Sequence, residues 1–184
     1  MQFRHQEAPQ CGCGRGQGRG GRRQGGRAHG CDLSIAIEVA APLSVEAHTA
    51  LLEGLDDEYR ARAFYLAVLE RFPGAMPFAH IVESEERHAN KLNEILRAYG
   101  KDAPANSYIG SGDIWRSVPA ALACACDLAI NEEKHNINLY EARLLPQVSA
   151  FPAITQVFAR LMLASRERHL PAFQRWSAAY RHRK

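Results

Sequence analysis

Apolar residues from Leu51 to Phe173 recur every three or four positions, and no stretch alternates with period two for long. That is the spacing of helices that bury one face. Ser44 is placed to cap a first helix running to about Arg71 and closed by Phe72-Pro73-Gly74, with Leu51, Leu55, Tyr65 and Leu69 on its inner stripe. A second helix follows Pro77 and runs to about Tyr99, where Gly100 supplies the stop. Its stripe is Ile81, Glu85, His88, Leu92, Ile95 and Leu96. Ser117 reads as the cap of a third helix, with Pro119 in its first turn and Pro146 beyond its end. This stripe holds Leu122, Cys126, Ala129, Glu133, Ile137, Tyr140 and Leu144. A fourth helix begins near Pro152, turns Ile154, Phe158, Leu161, Ser165, His169 and Phe173 inward, and is expected to kink at Pro171 without ending there.

Connection lengths extend the reading to topology. Short connections join the first helix to the second and the third to the fourth, so each pair is an antiparallel hairpin. The segment 101–117 between the hairpins, extended at ~3.3 Å per residue, spans the length of a bundle. Two antiparallel hairpins joined by one long crossover have ferritin-like connectivity. The expected fold is therefore all-α, a ferritin-like four-helix bundle over residues 44–184, preceded by a disordered Gly/Arg-rich tail and linker over 1–43.

An internal duplication runs through these helices. SEERH occupies 84–88 and SRERH occupies 165–169; Glu58 is followed seven residues later by Tyr65, and Glu133 seven later by Tyr140. Glu85-x-x-His88 puts a carboxylate and an imidazole one turn apart on one helix face. Glu58, Glu85, His88, Glu133 and His169 all fall on faces that are otherwise apolar. An unpaired buried carboxylate costs several kcal/mol, so such a set calls for a cation or protons. Single glutamates on two helices with Glu-x-x-His on the others form the ligand set of dinuclear iron and manganese bundles. Oxygen-rich ligation with two imidazoles suits iron or manganese, and zinc can occupy it in vitro. Tyr65 and Tyr140 are placed to hydrogen-bond the carboxylates. Glu83, Glu86, Glu167, Asp56 and Asp57 fall off the stripes and are expected in solvent; His80 and His135 are surface residues or neighbours of the ligands.

The second repeat departs from the pattern at Arg166, which stands where a further glutamate is expected. A fixed positive charge there, one turn from His169, would repel a second metal and leave one strong site and one weak or empty one. Arg166 could instead pair with Glu85 or Glu133 and replace the metal altogether, leaving a non-catalytic bundle.

Four blocks of sequence, LDDEYRARAFY at 55–65, PFAHIVESEERH at 77–88, EKHNINLYEARLL at 133–145 and ASRERHLPAF at 164–173, resemble a prokaryotic ferritin-like family related to rubrerythrins and of unknown function. The string Glu58-x-x-x-Arg62-x-x-Tyr65 is similar to the first helix of rubrerythrins, where the glutamate binds iron, and Glu85 and His88 match the Glu-x-x-His of the second. The resemblance implies metal ligation by Glu58, Glu85 and His88; with Glu133 and His169 from the second hairpin, these five are the expected ligands, Glu85 bridging, with Arg62, Tyr65, Tyr140 and Arg166 in supporting positions. It also implies an oxidoreductase acting on peroxide or dioxygen. Rubrerythrins draw electrons through paired Cys-x-x-Cys motifs; this chain has none, so an external electron donor is expected. Iron binding or sequestration without turnover is the alternative, and a homo-oligomer, a dimer, is the expected assembly.

Composition adds little to the site. The chain carries 23 basic and 20 acidic residues, and the basic excess lies in residues 1–32, where six arginines face only Glu7 and Asp32. Residues 11–30 hold nine glycines and five arginines, with nothing aliphatic larger than alanine to bury. They read as a solvated linker, without the aromatic residues that stack on bases, so nucleic-acid contact is limited to weak polyanion binding. Cys11, Cys13 and Cys31, with His5 and His29, match no closed zinc motif. Cys124 and Cys126 point to different sides of a helix and are expected as small core residues. No apolar run is long enough for a membrane helix and no signal-type stretch opens the chain, so a cytoplasmic location is expected.

Overall fold

The Ser44 side chain accepts a hydrogen bond from the Ala47 amide at 3.1 Å, so the first helix starts where its cap residue indicates. In a computed structural model, which describes residues 33–39 and 41–182, every regular element is helical, and no strand occurs among the described residues. Helix α1 (Val45–Arg71) packs against α2 (Phe78–Ala98) across a short turn. A brief α3 (Gly112–Ser117) lies in the crossover against α1. Helix α4 (Leu122–Leu139) continues through a π-helical turn, Tyr140–Leu144, into α5 (Leu145–Gln147). Helix α6 (Pro152–Ala164) continues through a second π-helical turn, Ser165–His169, into α7 (Leu170–His182). The two halves run antiparallel: α4 lies along α7, and the first π turn lies against α6. Gly100 at φ 64° closes α2, a left-handed position that glycine takes without steric cost.

Two boundaries differ from the sequence reading. Ser117 ends α3 rather than capping the next helix, which begins after Ala121 without a side-chain cap. The crossover is tied along α1: Tyr59 Oη donates to Pro104 O at 2.9 Å, and Tyr108 Oη donates to Asp56 at 2.7 Å. Pro146 lies within helix rather than beyond it. Each π turn is followed at once by Leu-Pro, at Leu145-Pro146 and Leu170-Pro171. Proline lacks an N–H and its ring clashes with the carbonyl four residues back; a wider turn just upstream absorbs both defects. The helix accordingly passes Pro171 and reaches His182.

The core is split in two. One cluster includes Leu51, Leu55, Leu92, Ile95, Leu144, Ile154 and Phe158. The other includes Phe64, Tyr65, Val68, Phe78, Ile81, Ala129 and Phe173. Along each long helical run the two are separated by about two to three turns, and the inner face of that gap is filled by polar residues: Glu58 on α1, Glu85 and His88 on α2, Glu133 and Asn136 on α4, Ser165 and His169 on the second π turn.

Residues 33–39, assigned to the tail on sequence, lie against the helices with Ile35 buried, and Lys91 Nζ donates to the Ile35 carbonyl at 2.7 Å. The Gly/Arg-rich segment expected to be disordered, with Cys11, Cys13 and Cys31, lies outside the described residues. Cys126 is a buried free thiol whose pKa burial pushes up to about 12; Cys124 is half-buried and disulfide-bonded, so only Cys126 is the expected core residue. No helix among the described residues is long and apolar enough to cross a membrane.

Candidate metal centre

Glu58, Glu85, His88, Glu133 and His169 are each at most 4% exposed and converge in the layer between the two apolar clusters. They form two groups, Glu58–Glu85–His88 and Glu85–Glu133–His169, each offering one donor atom per residue within 4.8 Å of the others. Glu85 belongs to both. Its Oε2 lies 3.1 Å from His88 Nδ1, and its Oε1 lies 3.0 Å from His169 Nδ1. The two imidazole rings stack with centroids 5.6 Å apart. Glu58 Oε2 lies 3.1 Å from His88 Nδ1, and Glu133 Oε1 lies 3.5 Å from His169 Nδ1. One carboxylate thus faces two half-sites, each completed by a glutamate and a histidine.

The tyrosines cross over between the halves. Tyr65 Oη donates to Glu133 Oε1 at 2.7 Å, and Tyr140 Oη donates to Glu58 Oε1 at 2.8 Å. Each tyrosine shares a helical run with one glutamate and holds the other. Burial, reinforced by the facing carboxylate, holds both phenols well above their ordinary pKa, so they remain donors. Gly54 makes room for one of them: a Cβ there would stand 3.1 Å from Tyr140 Oη.

The protons in the layer reflect burial set against attraction between carboxylates and imidazoles. Burial raises Glu58 to about 8 against the opposing pull of His88. Burial also works against Glu85 as an anion, but His169 and His88 outweigh it and hold that carboxyl well below its ordinary range. His169 moves the other way: burial opposes its charge, yet Glu85 and Glu133 raise it to about 10. His169 Nδ1 nevertheless makes no hydrogen bond of acceptable geometry among the described residues, although two carboxylates lie close. A buried nitrogen set among carboxylate oxygens without aligned hydrogen bonds fits a metal ligand, and the oxygen-rich donor set fits iron or manganese.

Two expected supporting residues are elsewhere. Arg166 is 39% exposed and bonds Glu141 on the surface at 2.8 Å, so it neither enters the layer nor pairs with Glu85 or Glu133. The π turn is the reason: its wider circuit keeps Ser165, four residues before His169, on the inner face where the helical period put it and turns Arg166 outward. Arg62 bonds the exposed Glu86 at 2.8 Å and touches none of the five. Glu83, Glu86, Glu167, Asp56, His80 and His135 are exposed as expected. Asp57 is not. It is buried, its Oδ1 accepting from Arg60 at 2.6 Å and its Oδ2 from Asn136 at 2.8 Å. Sequence reasoning missed this Asp57–Arg60–Asn136 group; the available signal was Asn136, one turn after Glu133 on the same face.

No family model matches the chain, and no curated protein or solved structure does either.

Proposed function

We propose that the chain is a ferritin-like, rubrerythrin-related bundle that holds a dinuclear non-haem iron or manganese centre and acts as an oxidoreductase on peroxide or dioxygen. The observation that carries this reading is the sharing of Glu85 between two three-residue groups. One half-site would use Glu58, Glu85 Oε2 and His88; the other Glu133, Glu85 Oε1 and His169. Two divalent ions against three carboxylates leave about one excess positive charge, far closer to balance than the carboxylates alone. The metal pair supplies electrons for reducing an oxygen-derived substrate.

The chain's own residues set the conditions for that chemistry. Tyr140 fixes Glu58 Oε1 and leaves Glu58 Oε2 toward His88, whereas Tyr65 fixes Glu133 Oε1, the same oxygen that lies 3.5 Å from His169 Nδ1. Packing of Tyr65, Phe78 and Phe173, with ring centroids 4.9 to 5.6 Å apart, closes one side of the layer, and Tyr140 against Phe158 closes the other. An external protein or small-molecule reductant would complete a cycle, and a homodimer is the assembly we propose. Anaerobic loading with Fe²⁺, metal counting and optical titration with peroxide test the reading. Stoichiometric iron that peroxide oxidises and a reductant restores supports it. Failure to retain metal sinks it, and retained iron without turnover favours sequestration.

A further inference from the structure

One side of the polar layer meets a cleft. A partly enclosed cleft between α1 and α4 has room for about one water-sized molecule. Its lining includes Glu85, Glu133, Ser165 and Asn136, and of the five candidate ligands it touches only those two glutamates. It therefore meets the Glu85–Glu133–His169 group at its two carboxylates, whereas Glu58 and His88 do not line it. Ser165 contributes to this asymmetry: the second π turn presents a short hydroxymethyl side chain here, with Arg166 turned away.

Asn136 gives the cleft a chemical preference. Its residue exposure is 7%, and its Nδ2 donates to Asp57 Oδ2 at 2.8 Å. Asp57 is held in turn by Arg60 at 2.6 Å. The carboxylate fixes the amide orientation, with nitrogen toward Asp57 and oxygen away. Asn136 Oδ1 is then a buried acceptor with no hydrogen bond among the described residues. Such a group is costly unless a donor meets it.

We propose that this cleft is a subsite for one small hydrogen-bond-donating ligand, held beside the Glu85–Glu133–His169 group and oriented by Asn136 Oδ1. The proposal rests on the metal reading above. An acceptor-only molecule of the same size leaves the amide oxygen unpaired and is disfavoured.

Water is the simplest such donor, and the full chain loaded with Mn²⁺ is the probe. Manganese is counted first, and water-proton relaxation then reports whether exchangeable water reaches the ion. The expected result is enhanced relaxation in the parent chain. Ala61→Phe, which fills the cleft from α1, and Asn136→Leu, which removes the acceptor, should both retain manganese and lose enhancement. Unchanged enhancement in Ala61→Phe with full manganese overturns the cleft as the route. Unchanged enhancement in Asn136→Leu overturns the role of the amide. A parent chain that takes up no manganese overturns the dinuclear reading and the subsite with it.

Discussion

Tyr65 Oη donates to Glu133 Oε1 at 2.7 Å, joining a phenol of the first hairpin to a carboxylate of the second. The reciprocal bond from Tyr140 to Glu58 means that each candidate half-site is braced from the opposite half of the chain. Tyr65→Phe should therefore weaken metal binding at the Glu133 half, and Tyr140→Phe at the Glu58 half. Loss of a partner that orients a ligand costs about 10–100-fold in metal affinity. Stepwise titration with Mn²⁺ reads both effects; unchanged affinity in both variants would show that the phenols are packing groups alone.

Because Arg166 lies outside the layer, the repulsion expected to empty the second half-site is absent. Two metal equivalents of comparable affinity are expected in place of one strong and one weak. Glu85→Ala should diminish both, while His88→Ala and His169→Ala should each remove one. Arg166→Ala should change metal affinity by less than about threefold, since an exposed ion pair contributes roughly 0–1 kcal/mol. A large gain in metal uptake on removing Arg166 would contradict its surface placement.

The protons held by the metal-free layer set a pH dependence. Glu58 rises from 4.5 to about 8 and His169 from 6.5 to about 10, so the folded chain keeps protons that the unfolded chain has released. Their contributions are complete below the unfolded values and are lost as pH rises through the folded ones. Glu85, lowered, contributes above its unfolded value of 4.5 and loses that contribution as pH falls. The apo-protein should be most stable near pH 4.5 and lose stability between about pH 4.5 and 10, first through Glu58 and then through His169. Metal must displace the same protons, so its uptake near neutral pH should release them and strengthen with pH. Denaturant titrations across pH, and calorimetry in buffers of different ionisation enthalpy, check the two halves of this prediction.

Gly54→Ala separates helix propensity from site geometry. Alanine favours a helix interior by roughly 0.5–1 kcal/mol over glycine. At this position, however, the added Cβ meets Tyr140 Oη at 3.1 Å. The ring must shift, and its hydrogen bond to Glu58 lengthens. We expect weaker metal binding at the Glu58 half, resembling Tyr140→Phe, with little net gain in thermal stability. Full metal affinity together with a raised melting temperature would show that the ring relaxes at no cost.

Aromatic packing behind Tyr65 supports the site at a distance. Phe173 is fully buried, with ring centroids 5.3 Å from Tyr65 and 4.9 Å from Phe78. Phe173→Ala should destabilise the fold by about 3–5 kcal/mol through lost burial and an unfilled cavity. Chemical denaturation measures it; a loss below about 1 kcal/mol would mean that the site collapses around the missing ring.

The helical period placed Glu58, Glu85, His88, Glu133 and His169 inward, and the duplicated spacing suggested that they act together. Those properties are local: they depend on which residues share a helix face, and a face follows from sequence separation alone. Other features depend on where one helix lies against another. Asp57 is off the inner stripe and looked solvated, but Asn136 of α4 and Arg60 cover it. Which tyrosine reaches which glutamate depends on the stagger between hairpins, which no single helix contains. The outward turn of Arg166 arises from a one-residue slip in hydrogen bonding ahead of Pro171, and the Leu-Pro that follows both π turns was its faint trace in the sequence. The alignment of SRERH with SEERH placed Arg166 inside; a π turn is stable only where packing offsets its poorer local geometry, so tertiary structure decided it.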